Sequence, residues 1–127
     1  MKRVLVVEDD REVNTLICRF LGQRGFTCDS ALSAAQCLAA IESSGPPDVI
    51  LLDLELPDMD GADLCSELRL KPSIDGVPIL VMTGYQQESK LDRIRAAGAD
   101  DHILKPFSPK EMLAKVNGMV ETAQARA

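Results

Sequence analysis

Four apolar runs in this chain each end in a side chain that can do chemistry. Glu8, Asp9 and Asp10 follow Val4-Leu5-Val6-Val7, and Asp53 follows Val49-Ile50-Leu51-Leu52. Thr83 follows Ile79-Leu80-Val81-Met82, and Lys105, itself followed by Pro106, closes the short run Ile103-Leu104. If the runs are neighbouring strands, carboxylates, a hydroxyl and an ammonium converge at one edge of a sheet. Carboxylates this close repel and raise one another's pKa unless a cation neutralises them. An all-oxygen cluster with room for water suits Mg²⁺, and no His or Cys stands among the strand-end groups to favour zinc. One oxygen nucleophile, one hard cation, one hydroxyl and one lysine suffice for phosphoryl transfer to a carboxylate. An Asp53 oxygen would attack in line, Thr83 would donate to a phosphoryl oxygen, and the metal with Lys105 would offset the charge. The product is an acyl phosphate, which water cleaves, so the modification is reversible.

The elements that must position these groups alternate along the chain. After the first run, Val13, Leu16, Ile17, Phe20 and Leu21 recur at i, i+3, i+4, i+7 and i+8, one face of a helix that Gly22 and Gly25 end. A weaker strand covers about residues 27–31, and Ser33 offers an N-cap to a helix running to Ile41. Ser43-Ser44-Gly45-Pro46-Pro47 is a loop. The run before Asp53 is continuously apolar, the pattern of a central strand covered on both faces. Pro57 and Gly61 punctuate the next loop, and Leu64 and Leu68 mark a third helix. A fourth helix carries Leu91 and Ile94. The fifth starts with Ser108 at N-cap, Pro109 at N1 and Glu111 at N3, then repeats Met112, Val116 and Val120 on its buried face. Strand–helix alternation of this kind implies an α/β domain with a parallel sheet between helices, and sites at the carboxyl ends of its strands.

Composition narrows the options. At 127 residues, 46% apolar and 27% charged, the chain fits a single domain, residues 1–127, that needs no disulfide or metal staple. A net charge of -6 with no Lys/Arg cluster argues against direct nucleic-acid binding. No apolar run approaches the ~20 residues that span a bilayer. The expected location is cytoplasmic. Cys18, Cys28, Cys37 and Cys65 form no CxxC pair and have no His at metal-ligand spacing, so they read as reduced packing residues. Asp10 and Asp60 read as helix caps. Asp100, Asp101 and the charges of the fourth helix (Glu88, Lys90, Asp92, Arg93, Arg95) read as a solvated face.

The segments VLVVEDD, ILLDLELPDMDG, ILVMTG and AGADDHILKPF resemble the receiver domains of two-component response regulators, in order and spacing and over essentially the whole chain. The resemblance implies a flavodoxin-like (βα)5 three-layer sandwich with a five-stranded parallel sheet of order 2-1-3-4-5. It implies that Asp53 accepts phosphate from a phosphohistidine on a sensor histidine kinase or phosphotransfer protein. Glu8, Asp9, Asp53 and the backbone carbonyl of Glu55 would hold Mg²⁺, with Glu8 reached through water. Thr83 would move on phosphorylation, His102 would follow as the switch ring, and Lys105 would contact the phosphoryl group, aimed by a cis Lys105–Pro106 peptide. The family usually has Tyr or Phe at the position of His102, and a His gains less by leaving water. Glu55 and Tyr85 would flank the phosphoryl group and set its lifetime. The face of the fourth helix, fifth strand and fifth helix would dock a downstream protein or an attached output domain, or a second copy in a homodimer.

Three other functions share parts of this pattern. A pseudo-receiver would bind a partner without carrying phosphate, but has no need to retain repelling carboxylates. An aspartyl-phosphate phosphatase carries its nucleophile after the first strand with a second Asp two residues on, whereas Asp53 follows the third and is followed by Glu55. A flavin-binding protein wants aromatics against the ring, and the chain has no Trp and one Tyr. Turnover of an external substrate is not expected.

Overall fold

The computed structural model describes residues 2–84 and 88–125. Five strands alternate with five helices: β1 (Lys2–Val7), α1 (Arg11–Gly22), β2 (Phe26–Ala31), α2 (Ala34–Ser44), β3 (Val49–Asp53), α3 (Gly61–Arg69), β4 (Ile79–Thr83), α4 (Glu88–Ala96), β5 (Asp101–Leu104) and α5 (Pro109–Ala125). A 3-10 turn at Pro72–Ile74 precedes β4. All pairings are parallel and the strand order is β2-β1-β3-β4-β5. The strands run one or two residues beyond the apolar runs at one end or the other, because ladder hydrogen bonds extend past the buried side chains.

Strand side chains alternate between two cores, as the two-residue period of a pleated strand requires. Leu5, Val7, Ile50, Leu52, Ile79 and Val81 pack with residues of α2, α3 and α4, among them Ile41, Leu64, Leu68 and Ile94. Val4, Val6, Leu51, Leu80, Met82 and Ile103 pack with Ile17 and Leu21 of α1 and Met112, Val116 and Val120 of α5. Burial on both faces explains why β3 and β4 are apolar without interruption.

The helix starts follow the sequence closely. Asp10, Ser33, Asp60 and Ser108 each accept a backbone N–H from the first turn of their helix, at 2.7 to 3.2 Å. The sequence did not reveal a second anchor on α2: Asp58, in the loop after β3, accepts from Ala34 N and Ala35 N at 2.9 and 3.0 Å.

One reading is corrected. Leu16 is 61% exposed, whereas Asn14 is buried. The buried stripe of α1 centres on Asn14, Ile17 and Leu21, and Leu16 lies about 100° round the helix from Ile17. The charges read as a solvated face do stand in solvent for the most part, and several of them also pair there. Asp100 accepts from Arg69 Nη2 at 2.7 Å and from Ile79 N at 2.8 Å, and Asp101 from Lys115 Nζ at 3.0 Å. Arg93 reaches from α4 to Asp60 and Asp63 at 3.2 and 3.1 Å, and Arg95 pairs with Asp92. A parallel sheet brings these distant acids and bases to the same level, which linear spacing cannot express.

Candidate functional site

Parallel registry aligns the carboxyl ends of four strands. Val7 lies beside Leu52, Leu52 beside Val81, and Thr83 beside Leu104. The residue following or ending each strand therefore emerges at one edge. Glu8 stays on the line of β1 because its N–H donates to Ala31 O at 3.0 Å. Lys105 stays on the line of β5 through its N–H to Thr83 O at 2.8 Å, and its bond to Pro106 is cis. Asp53 ends β3, and the chain then turns back so sharply that Gly61 N donates to Leu54 O at 2.8 Å. A side chain at position 61 would meet Asp53 O and Leu54 Cα at 2.6 Å, so only glycine fits beside the strand.

The side chains meet at this edge. Lys105 Nζ donates to Glu8 Oε1 at 3.0 Å and to Asp53 Oδ1 at 3.1 Å. Glu8 and Asp53 are 2% and 4% exposed, while Asp9 lies open to solvent. Carboxylate oxygens of Glu8, Asp9 and Asp53 lie within 4.8 Å of one another. They border an open pocket of about 480 Å³ whose wall includes Val13, Glu55, Leu56, Pro57 and Lys105. Thr83 is buried at the end of the adjacent β4.

Charge in the pocket is out of balance. Burial, then the Asp53 carboxyl, raises the Glu8 pKa above its ordinary value, with Lys105 opposing. Loss of solvent and the Glu8 carboxyl raise Asp9. Burial alone would lower Lys105, but Glu8 and Asp53 outweigh it, so the ammonium is held more tightly. Three carboxylates face one ammonium. Their oxygen-only chemistry, close spacing and access to water fit a hard divalent cation that retains waters.

Glu8, Asp9, Asp53 and Lys105 are thus brought together as the sequence implied. Glu55 borders the same pocket, with its N–H donating to Asp53 Oδ1 at 3.3 Å. His102 stands on β5, its side chain 32% exposed and its Nδ1 4.0 Å from Asp101 Oδ1, outside the pocket wall. Tyr85 lies outside the described residues. Sequence reasoning missed Asn14, whose amide donates to the carbonyls of Val6, Glu8 and Ala31 at 3.1 to 3.2 Å and so splints β1, β2 and α1 just before the acids. Its position three residues before Ile17 and seven before Leu21 was the available signal.

The family model for the response regulator receiver domain matches residues 4–117. The chain belongs to that family. This receiver domain is 34% identical over 124 residues to the phosphate regulon transcriptional regulatory protein PhoB of Rhizobium meliloti, covering 98% of this chain and 54% of that one. It is 37% identical over 118 residues to the response regulator MprA of Mycobacterium ulcerans, covering 93% and 50%. The chain therefore spans about half the length of the curated relatives it matches. Among solved structures, a CheY-like response regulator receiver domain protein of Methanospirillum hungatei superposes with a TM-score of 0.91 at 30% identity, covering 100% of this chain and 99% of that one. Chemotaxis response regulator CheY4 of Vibrio cholerae superposes at 0.88 with 26% identity, covering 94% and 98%. No helix among the described residues is long and apolar enough to cross a membrane.

Proposed function

We propose that this receiver domain accepts a phosphoryl group on Asp53 from a phosphohistidine of a sensor kinase or phosphotransfer protein, in a Mg²⁺-dependent reaction. The observation that carries this reading is Lys105 Nζ bridging Glu8 and Asp53 in a pocket with a surplus of carboxylate. Glu8, Asp9, Asp53 and the carbonyl of Glu55 would hold the cation, and when bound it supplies positive charge that offsets the phosphoryl oxygens and the acids around them.

An Asp53 oxygen attacks phosphorus as the bond to the donor imidazole breaks, and the imidazole nitrogen keeps the electron pair. Lys105 then shifts part of its hydrogen bonding from Asp53 to a phosphoryl oxygen, and the Thr83 hydroxyl donates to another. Movement of Thr83, followed by the His102 ring, carries the change to α4, β5 and α5, where a downstream protein, an attached output domain or a second copy docks. Glu55, which borders the pocket, and Tyr85 set the lifetime of the phosphoryl group; Tyr85→Ala should hasten its hydrolysis, and an unchanged dephosphorylation rate removes that role. The domain acts on itself alone, as a cytoplasmic switch without external turnover.

Exposure of the protein to a small acyl phosphate donor with Mg²⁺ should add a single phosphoryl mass, lost on chelation and in Asp53→Asn. A wild-type protein that gains no mass overturns the reading and leaves a phosphate-independent binding module.

A further inference from the structure

Asp9 is the open member of the acid cluster, and the direction of its side chain depends on the peptide planes on either side of its Cα. The plane after it is held by Asp10 N, which donates to Glu8 Oε2 at 3.3 Å. The plane before it carries the Glu8 carbonyl, and that oxygen accepts from Asn14 Nδ2 at 3.1 Å. The same nitrogen donates to Val6 O and Ala31 O at 3.2 Å each, so one amide grips both strands at the level where β1 gives way to α1. Its own orientation is determined. Three carbonyls can only accept, so the nitrogen must face them, while Oδ1 accepts from Ser30 Oγ at 2.6 Å and from Cys18 Sγ at 3.4 Å. Asn14 is 1% exposed and does not line the acid pocket, so its reach to the acids runs through the backbone.

We propose that Asn14 is a positioning residue for the cation: it fixes the Glu8–Asp9 peptide so that Asp9 stays turned into the pocket, and this rests on the Mg²⁺-dependent reading given for that site. Without a cation the acids oppose such a placement. Like charges on Glu8 and Asp53 favour an Asp9 turned out to water. A ligand that must be turned back and then held weakens binding, because immobilising a side chain and its backbone opposes association. An amide that fixes the peptide beforehand removes part of that opposition. Groups that orient a metal's ligands without touching the metal account for about 10- to 100-fold in affinity. The coupling runs both ways. A cation that gains from the Asn14 hydrogen bonds must in turn strengthen them.

The test titrates Mg²⁺ into the full unphosphorylated chain and reads its dissociation constant by calorimetry. Asn14→Leu roughly keeps the volume, adds no charge and removes both N–H donors, and it should weaken Mg²⁺ about 10-fold. Ser30→Ala removes only the hydrogen bond on the far side of the amide and should weaken it by a smaller factor. Ile17→Ala, on the same buried stripe of α1 but outside the pocket, should lower the melting temperature and keep the wild-type constant. Circular dichroism and metal-free melts identify any variant that has lost the fold. The wild type answers without a variant. On Mg²⁺ addition the Asn14 side-chain amide protons, followed by NMR, should exchange more slowly, while backbone amides at the C-terminal end of α2 keep their rates. Should Asn14→Leu not fold, Ser30→Ala and the wild-type exchange decide. Wild-type affinity in a folded Asn14→Leu, an equal loss in Ile17→Ala, or Asn14 protons indifferent to Mg²⁺ would overturn the proposal and leave the phosphoryl reading standing. A wild type that binds no Mg²⁺ sinks both.

Discussion

Two sets of acids lie on the carboxyl edge of the sheet and behave oppositely. In the pocket, burial and mutual repulsion push Glu8 and Asp9 above the ordinary carboxylate range. In the loop after β3, Asp58 and Asp60 are held below it. The amides of Ala34 and Ala35 lower Asp58, and at Asp60 the Ala62 amide and Arg93 outweigh burial. The loop acids have found their partners within the chain and serve as clamps. The pocket acids share a single lysine and remain short of positive charge. Acidic residue type alone says little about role; what separates the sets is whether the fold itself supplies the counter-dipoles.

That contrast can be broken at several points. The largest effect is expected at Lys105, the one cation bordering the pocket among the described residues. Lys105→Met should slow phosphoryl uptake from a small donor by about 10²-fold, the scale of losing one charge-stabilising donor, read by intact mass against time. An unchanged rate would mean that the lysine only pairs with the acids at rest.

Next comes the cation response. At about 100-fold over its dissociation constant, Mg²⁺ should stabilise the wild type by about 2.7 kcal/mol through mass action. Thermal melts of Asp9→Ala should lose most of that gain, and melts of Asp58→Ala should keep it. Equal responses from the two variants would erase the distinction between the sets.

The smallest effect concerns Asp58. Its folded pKa is depressed, so its contribution is present above the unfolded value near 3.8 and fades as pH falls through the folded value. Asp58→Ala should melt a few degrees below wild type at neutral pH, with the gap closing in acid below about pH 4. A gap independent of pH would mean that the side chain acts by shape rather than charge.

Much of this was legible in the sequence because it depended on local rules. Strand ends announced themselves where apolar runs stopped at Glu8, Asp53, Thr83 and Lys105, and a parallel sheet leaves those ends one place to go. The caps at Ser33, Asp60 and Ser108 were equally local. What escaped required knowledge of neighbours in space. Arg69 donates to the carbonyls of Gly98, Ile74 and Val77 and pairs with Asp100, binding the far edge of the sheet together. Nothing around position 69 distinguishes that arginine from a surface one. Asn14 was overlooked because a helical stripe was read by apolarity, and its amide is buried by virtue of three carbonyls on the line of β1 and on β2. Asp58 caps a helix that begins 24 residues before it.

Gly61 turns the missing side chain into an architectural requirement. With backbone atoms of residues 53 and 54 already at 2.6 Å from where a first carbon would stand, the joint between strand and helix has no tolerance left to distribute. A methyl group there would lever the tip of β3, and Asp53 with it, away from Lys105 while leaving every charged residue in place. Redesign of this module can therefore keep every charged group and still fail through one inert hydrogen replaced by carbon.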